Sequence, residues 1–284
     1  MYTFDFNIAG TALRITTEWE VSVGDNFTPF FALHDQAWDE RAELQCVEEF
    51  PPMTPPEKWV QGCGETTWEG QRCVLHRLSE QSQPWMMELY RGERDRRLYY
   101  RRASHELPCS MQKIFGNMDF ENMLLRSNAL LLHSSFIRWQ GEGILFSAPS
   151  GTGKSTQADL WVQHQGAEVL NGDRSCLRKA EGRWTACGLP FAGSSDIFRN
   201  ESAPIRAIVM LSQAGENKIE RLTAAQALRK IFPEVTIHHW DEAFVNKALN
   251  LLLELLGEVP IYHLACLPDR GAVELVRETI THEE

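Results

Sequence analysis

The sequence predicts an α/β chain in which a P-loop-containing mixed sheet follows a β-rich N-terminal region. Three observations carry that expectation. Stretches of the first hundred residues alternate apolar and polar side chains with period two, the signature of half-buried strands. Beyond residue 118, short apolar runs take turns with segments of helical spacing, the order expected of a sheet covered by helices. At 147–156, SAPSGTGKST joins such a run to a helix-like segment. The expected division is 1–118 for the β-rich region and 119–284 for the core.

The elements follow in order. MYTFDFNIAGTALRITTEW puts Tyr2, Phe4 and Phe6 on one face, turns at Ala9 and Gly10, and resumes with Leu13 and Ile15. FPPMTPPEKW, at 50–59, is proline-rich and reads as irregular. PWMMELYR and RRLYYRRA flank a polar connection at 92–95, so 85–103 reads as a hairpin. Its arginines belong either to an exposed strand pair balanced by Glu93 and Asp95 or to a peptide- or phosphate-binding face. Alternation makes one of Tyr99 and Tyr100 core.

In the second part, 120–126 reads as a short helix, 129–134 and 136–140 as two strands, and 143–147 as a buried strand. A helix over 153–164 is stopped by Gly166. Strands follow at 183–187 and 205–212, then helices at 224–231 and 241–256. In the last of these, Phe244, Ala248, Leu251, Leu252 and Leu255 form one apolar stripe. A strand at 259–266 precedes a closing helix that Asp269 can N-cap, with Val273, Val276 and Ile280 on its inner face.

Composition narrows the function classes. The 284 residues, 43% hydrophobic and 24% charged, suffice for a real core. The 28 basic and 39 acidic residues give a net charge of −11, which argues against nucleic acid or an anionic membrane as partner. Seven scattered cysteines without a C-x-x-C pair suggest reduced thiols in a cytoplasmic protein and no zinc site. No secretory signal is evident at the N-terminus. The longest apolar run, within 249–256, contains Glu254 and falls short of the roughly 20 residues a membrane span needs.

The loop carries the chemistry. Its glycines let backbone N–H groups converge on an anion, and the helix start adds its dipole. Lys154 reaches the β/γ-phosphates and Ser155 offers its hydroxyl to Mg²⁺. Ser150, Gly151, Thr152, Gly153, Lys154, Ser155 and Thr156 are the expected nucleotide contacts. The structural alternatives are a simple N-cap at Ser155 and at Thr156, and a solvated lysine at Lys154. Ala148 stands where the G-x-x-x-x-G-K-[ST] pattern opens with glycine, which matters only if that position needs positive φ. Pro149 instead pushes Ala148 towards an extended conformation. No N-K-x-D motif is present, and IVML at 208–211 ends in Ser212 rather than aspartate, so the acidic residue comes early, as Asp173 in NGDR.

The block LLLHSSFIRWQGEGILFSAPSGTGKSTQADLWVQHQGAEVLNGDR resembles the catalytic core of the HPr kinase/phosphorylase group, whose P-loop fold variant is shared with phosphoenolpyruvate carboxykinases. It is most similar to the small HPr-kinase-like enzymes of peptide-modifying gene clusters, such as lasso-peptide kinases. The resemblance covers about 128–174 well and the rest of the second part loosely, through GLPFAGSSD and VPIYHLACLPD. It implies a fold of the HPr kinase/PEP carboxykinase type, ATP and Mg²⁺ as cofactors, and transfer of the γ-phosphoryl group to a serine-like hydroxyl of a peptide or protein. It also implies His133, Lys154 and Asp173 as catalytic residues, Ser155 and Asp173 as metal ligands, and a possible homo-oligomer. An acidic pair closes the next strand in that group, whereas here Gly172 precedes Asp173. Either Asp173 both holds the metal and takes the proton, or His133 takes it. A small-molecule kinase and an ATP-sensing module without transfer are the alternatives. GLPFAGSSD, at 188–196, is either an acceptor-side loop or a plain surface loop. Arg174, Asp196, Arg199 and Arg270 are either phosphate or acceptor contacts or surface ion pairs.

Overall fold

The computed structural model describes residues 1–32, 37–102 and 107–282, and of Ser194 only the backbone. Two compact units emerge, Met1–Met123 with His238–Glu242, and Leu124–Ile237 with Ala243–Glu284. None of the described helices is long and apolar enough to cross a membrane, which leaves membrane-crossing strands untested.

The first unit is built on one sheet. Strands β1 (Tyr2–Ile8), β2 (Thr11–Thr17), β3 (Glu40–Val47), β4 (Trp59–Val60), β5 (Cys63–Trp68), β6 (Gln71–His76), β7 (Met86–Tyr90) and β8 (Asp95–Arg101) lie in the order β1-β2-β3-β8-β7-β6-β5-β4. Ala9 and Gly10 both take positive φ, 52° and 77°, the geometry of a tight hairpin whose twist matches its strands. Phe6, Phe27, Phe115 and Phe120 pack edge-on or tilted under this sheet, where α1 (Met111–Asn117) starts at the Ser110 cap and α2 (Phe120–Arg126) follows.

The 85–103 hairpin forms as β7 and β8; Ala103 lies outside the described residues. Its expected exposure holds for Arg94 and Arg102 but fails along the strand itself. Arg96 is fully buried against Glu88, and Tyr99 and Tyr100 are both buried. Each face of this central strand pair is covered, so alternation does not separate core from solvent. Strands β5 and β6 carry no clean alternation, whereas β3 alternates Ala42, Leu44 and Cys46 with Arg41, Glu43 and Gln45; none of the three is among the expected strands.

The second unit contains β9 (Ala129–Trp139), β10 (Glu142–Ser147), α3 (Lys154–Gln165), β11 (Glu168–Asn171), β12 (Arg174–Ala180), β13 (Arg183–Cys187), β14 (Ser202–Gln213), β15 (Lys218–Arg221), α4 (Ala224–Ile231), α5 (Glu242–Glu258), β16 (Ile261–Cys266) and α6 (Arg270–Thr281). The expected strands at 129–134 and 136–140 are one: β9 runs unbroken, because its halves have different neighbours. Residues 129–133 pair with β12 and 134–139 with β10, so Ser134 and Ser135 are buried inside the sheet rather than turned to solvent. β14 runs parallel to both β10 and β16.

Alternation along these strands feeds two cores. Leu145, Ile208 and Met210 face α4 and α5 with Ile231, Phe244, Ala248 and Leu252. Ile144, Phe146 and Val209 face α3 and α6 with Trp161, Val273 and Val276. Burying each large apolar side chain contributes about 1.5–3 kcal/mol, which fixes the strand that leads into the loop. Local chemistry sets the helix ends. Thr223 and Gln226 form a capping box on α4, Asp269 caps α6, and Gly166 ends α3 at φ 65°.

Candidate functional site

The 148–153 loop leaves the carboxyl end of β10 and enters α3. Ala148 is buried in the core below α3 and is not among the described residues of positive φ, so the missing glycine costs the loop no backbone freedom. The two positions that need glycine have it. Gly151 and Gly153 take φ 79° and 118°, and a Cβ at either would meet nothing within 4 Å, so conformation rather than space selects glycine there. Gly153 is the N-cap residue and makes no side-chain cap, which removes the expected capping alternatives for Ser155 and Thr156. Both side chains are exposed in the first turn, as is Ser150 in the loop.

Lys154 is not a solvated lysine. It is 8% exposed, and its Nζ donates to Ala148 O at 2.9 Å. Burial pulls its ammonium pKa down, while Glu234 and Asp173 oppose that shift. A buried cation at the start of a helix is held against the dipole, a cost that an anion in the loop would relieve.

His133 sits where β9 changes partners. Its backbone pairs with Arg174 of β12, its carbonyl accepts the Ser147 hydroxyl at 2.8 Å, and the next residue pairs with Ser147 of β10. The imidazole lies between two carboxylates. Nε2 is 3.8 Å from Asp173 Oδ1, and Nδ1 is 3.1 Å from Glu234 Oε2.

Asp173 occupies the bend between β11 and β12 rather than ending a strand. Asn171, fully buried, organises that bend. Its side-chain oxygen accepts from Asp173 N and Arg174 N, and its Nδ2 donates to Leu189 O and Phe191 O. The 188–196 segment is thereby held beside Asp173. A Cβ on Gly172 would lie 2.0 Å from Ser195 Oγ, and one on Gly193 would lie 2.8 Å from the Asp173 carboxylate. Gly172 is therefore a packing requirement of this turn.

Two site residues escaped the sequence. Asn171 looks like a turn asparagine, and only its contacts with 189–191 show its role. Glu234 follows α4 in the 3-10 turn Phe232–Glu234, a hundred residues from its histidine. The one sequence signal for it is a carboxylate in FPEV between a helix and an apolar segment. The other arginines form ion pairs: Arg174 with Asp173 at 3.5 Å, Arg199 with Glu168 and Glu201, and Arg270 with Glu274. Asp196 takes a left-handed φ of 53° after the turn.

On the other side of the loop residues lies a cavity of about 450 Å³, lined among others by Thr152, Thr156, Gln157, Gln213, Cys266 and Pro268. It opens at the carboxyl ends of β14 and β16, the usual ligand position in open α/β sheets. Gln157 is buried, and its Oε1 has no hydrogen-bond partner.

Fold and site together define an α/β protein whose second unit presents a glycine loop, a buried lysine and a carboxylate–histidine–carboxylate group. Residues 109–267, over half of the chain, match the family described as SynChlorMet cassette protein ScmC, and the chain belongs to that family. No curated protein matches the chain. Among solved structures it is similar to the Hpr(Ser) kinase/phosphatase from Coxiella burnetii, with 12% identity and a TM-score of 0.31 over 54% of this chain and 88% of that one.

Proposed function

We propose that this chain is an ATP- and Mg²⁺-dependent phosphotransferase that moves the γ-phosphoryl group to a hydroxyl, serine-like and borne by a peptide or protein. The observation that carries the reading is Lys154, a buried ammonium behind two positive-φ glycines and within the field of Asp173. Phosphoryl transfer asks a protein mainly for positioning and charge neutralisation. Lys154 and the amides of 151–156 neutralise the triphosphate, with Ser150, Thr152 and Thr156 as further contacts, and the base lies towards the 450 Å³ cavity.

The donor set fits the metal. Ser155 offers a hydroxyl and Asp173 a carboxylate, both hard oxygen ligands of the kind Mg²⁺ selects. Held by Ser155 and Asp173, Mg²⁺ would supply charge neutralisation for the triphosphate. Asp173 or His133 takes the acceptor proton. The resemblance to HPr-kinase-like enzymes of peptide-modifying clusters supports a peptide or protein acceptor and a possible homo-oligomer, and the scattered cysteines support a cytoplasmic setting. The charge of −11 supports a protein that binds neither nucleic acid nor membrane.

Gly172 favours a second reading, an ATP-sensing module without transfer, since the first acidic position is empty. Mass spectrometry of candidate peptides and metabolites incubated with the protein, Mg²⁺ and ATP separates the two. A mass gain of one phosphate that disappears with Lys154→Ala supports the kinase. ADP release no higher than background with every acceptor supports the sensor.

A further inference from the structure

Glu234 brings a second carboxylate to the site from a segment other than the turn at Gly172. With Ser195 closing the space beside Gly172, no carboxylate can project from that position without moving the turn. Glu234 is 9% exposed and fixed from both sides. Phe232–Glu234 continues α4, Val235 bridges Leu132, and Thr236 N donates to Leu131 O at 2.9 Å, so the segment is stitched to β9 just before His133.

The contact sets the state of the ring. A carboxylate oxygen accepts hydrogen bonds, so Glu234 Oε2, 3.1 Å from Nδ1 of His133, favours the tautomer that carries its proton there. In that tautomer Nε2 carries a lone pair and faces Asp173 Oδ1 at 3.8 Å. Two acceptors confront each other across a gap too long for a hydrogen bond. A hydroxyl entering that gap supplies the missing donor.

We propose that Glu234 is a positioning residue for phosphoryl transfer: it holds His133 in the Nδ1–H tautomer, with Nε2 aimed at the acceptor hydroxyl beside Asp173. The proposal rests on the phosphotransferase reading above. In the step it serves, the acceptor oxygen forms a bond to the γ-phosphorus while the bond from that phosphorus to the β,γ-bridging oxygen breaks. The leaving electron pair stays on ADP, and the hydroxyl proton passes to His133 Nε2. Glu234 gains no proton and touches no substrate; it keeps the ring from turning and stabilises the imidazolium that forms.

The test compares wild type, Glu234→Gln and Glu234→Ala in the full chain by ¹⁵N–¹H NMR of the His133 ring, turnover and calorimetric affinity for ATP with Mg²⁺. Wild type is expected to show the Nδ1–H tautomer at neutral pH without nucleotide. In Glu234→Ala that tautomer mixes with the other and kcat falls about 10²-fold, while nucleotide affinity stays within about twofold. Glu234→Gln, whose amide oxygen still accepts from Nδ1, keeps more of both the tautomer and kcat. An Nε2–H or doubly protonated ring in wild type, or an unchanged kcat in Glu234→Ala, overturns the proposal. A wild type that binds nucleotide yet phosphorylates no acceptor overturns the phosphotransferase reading and the proposal together, whereas an active Glu234→Ala overturns the proposal alone.

Discussion

Two histidines in this chain each stand between two carboxylates, and their surroundings differ. In the first unit His238 Nδ1 lies 2.9 Å from Asp119 and Nε2 lies 3.6 Å from Glu121. Burial pulls the imidazole pKa down, but hydrogen bonds to the two carboxylates outweigh it and raise the pKa to about 10. Asp119 also accepts from Tyr90 and Asn122 and lies near Arg96, itself buried with Glu88. Asp119, Glu121 and His238 are residue types that could bind a metal, but the raised imidazole pKa and the nearby Arg96 place positive charge there already. In the second unit His133 is 31% exposed, its carboxylates lie at 3.1 and 3.8 Å, and a buried lysine stands nearby. The closed cluster is finished chemistry that pins a segment in place. The open one leaves a gap that a ligand can complete, and access and misfit make it the candidate site.

That contrast can be broken at several points. The largest effect belongs to the closed network. Arg96→Ala strands Glu88 at zero exposure, and urea unfolding should show a loss of about 3–5 kcal/mol. At the open cluster, Lys154→Ala should cut phosphoryl transfer about 10²–10³-fold. Its unfolding free energy should fall by no more than about 1 kcal/mol, the net worth of the hydrogen bond to Ala148. A large loss of stability with intact transfer would assign Lys154 to the fold instead.

Alkaline pH probes the closed cluster in another way. His238 has a folded pKa of about 10 against 6.5 for the free side chain. Its stabilisation is therefore present in full below pH 6.5 and lost as pH rises through about 10. Thermal melts of wild type should decline over that window, and those of His238→Gln should decline less. Parallel profiles would show that the ion pairs add nothing. The smallest change is Thr223→Ala, which removes the capping box of the helix leading to Glu234. It should cost about 1 kcal/mol in thermal melts, and without the turnover loss expected of Glu234→Ala.

What the sequence could show follows the range of the forces involved. Helix α4, the Asp269 cap, the Gly166 stop and the loop glycines are set by neighbours within a few residues, and each is legible locally. Arg96 is not, because its burial depends on Glu88 across a strand pair whose two faces are both covered. The unity of β9 is hidden because Ser134 and Ser135 look like a break, and the long-range partners of their hydroxyls, Ser175 and Gly172, lie on other segments. Lys154, His133 and Asp173 were marked by the motif and the family resemblance. Asn171 and Glu234 act through contacts made only after folding, and Ser195 explains a glycine that the sequence presents as a loss.

Titration calorimetry of the full wild-type chain with ATP, run with and without Mg²⁺, addresses the central claim most directly. The account predicts one saturable nucleotide per chain, tightened by Mg²⁺ and weakened by Lys154→Ala. No heat of binding from well-folded protein under either condition would contradict it.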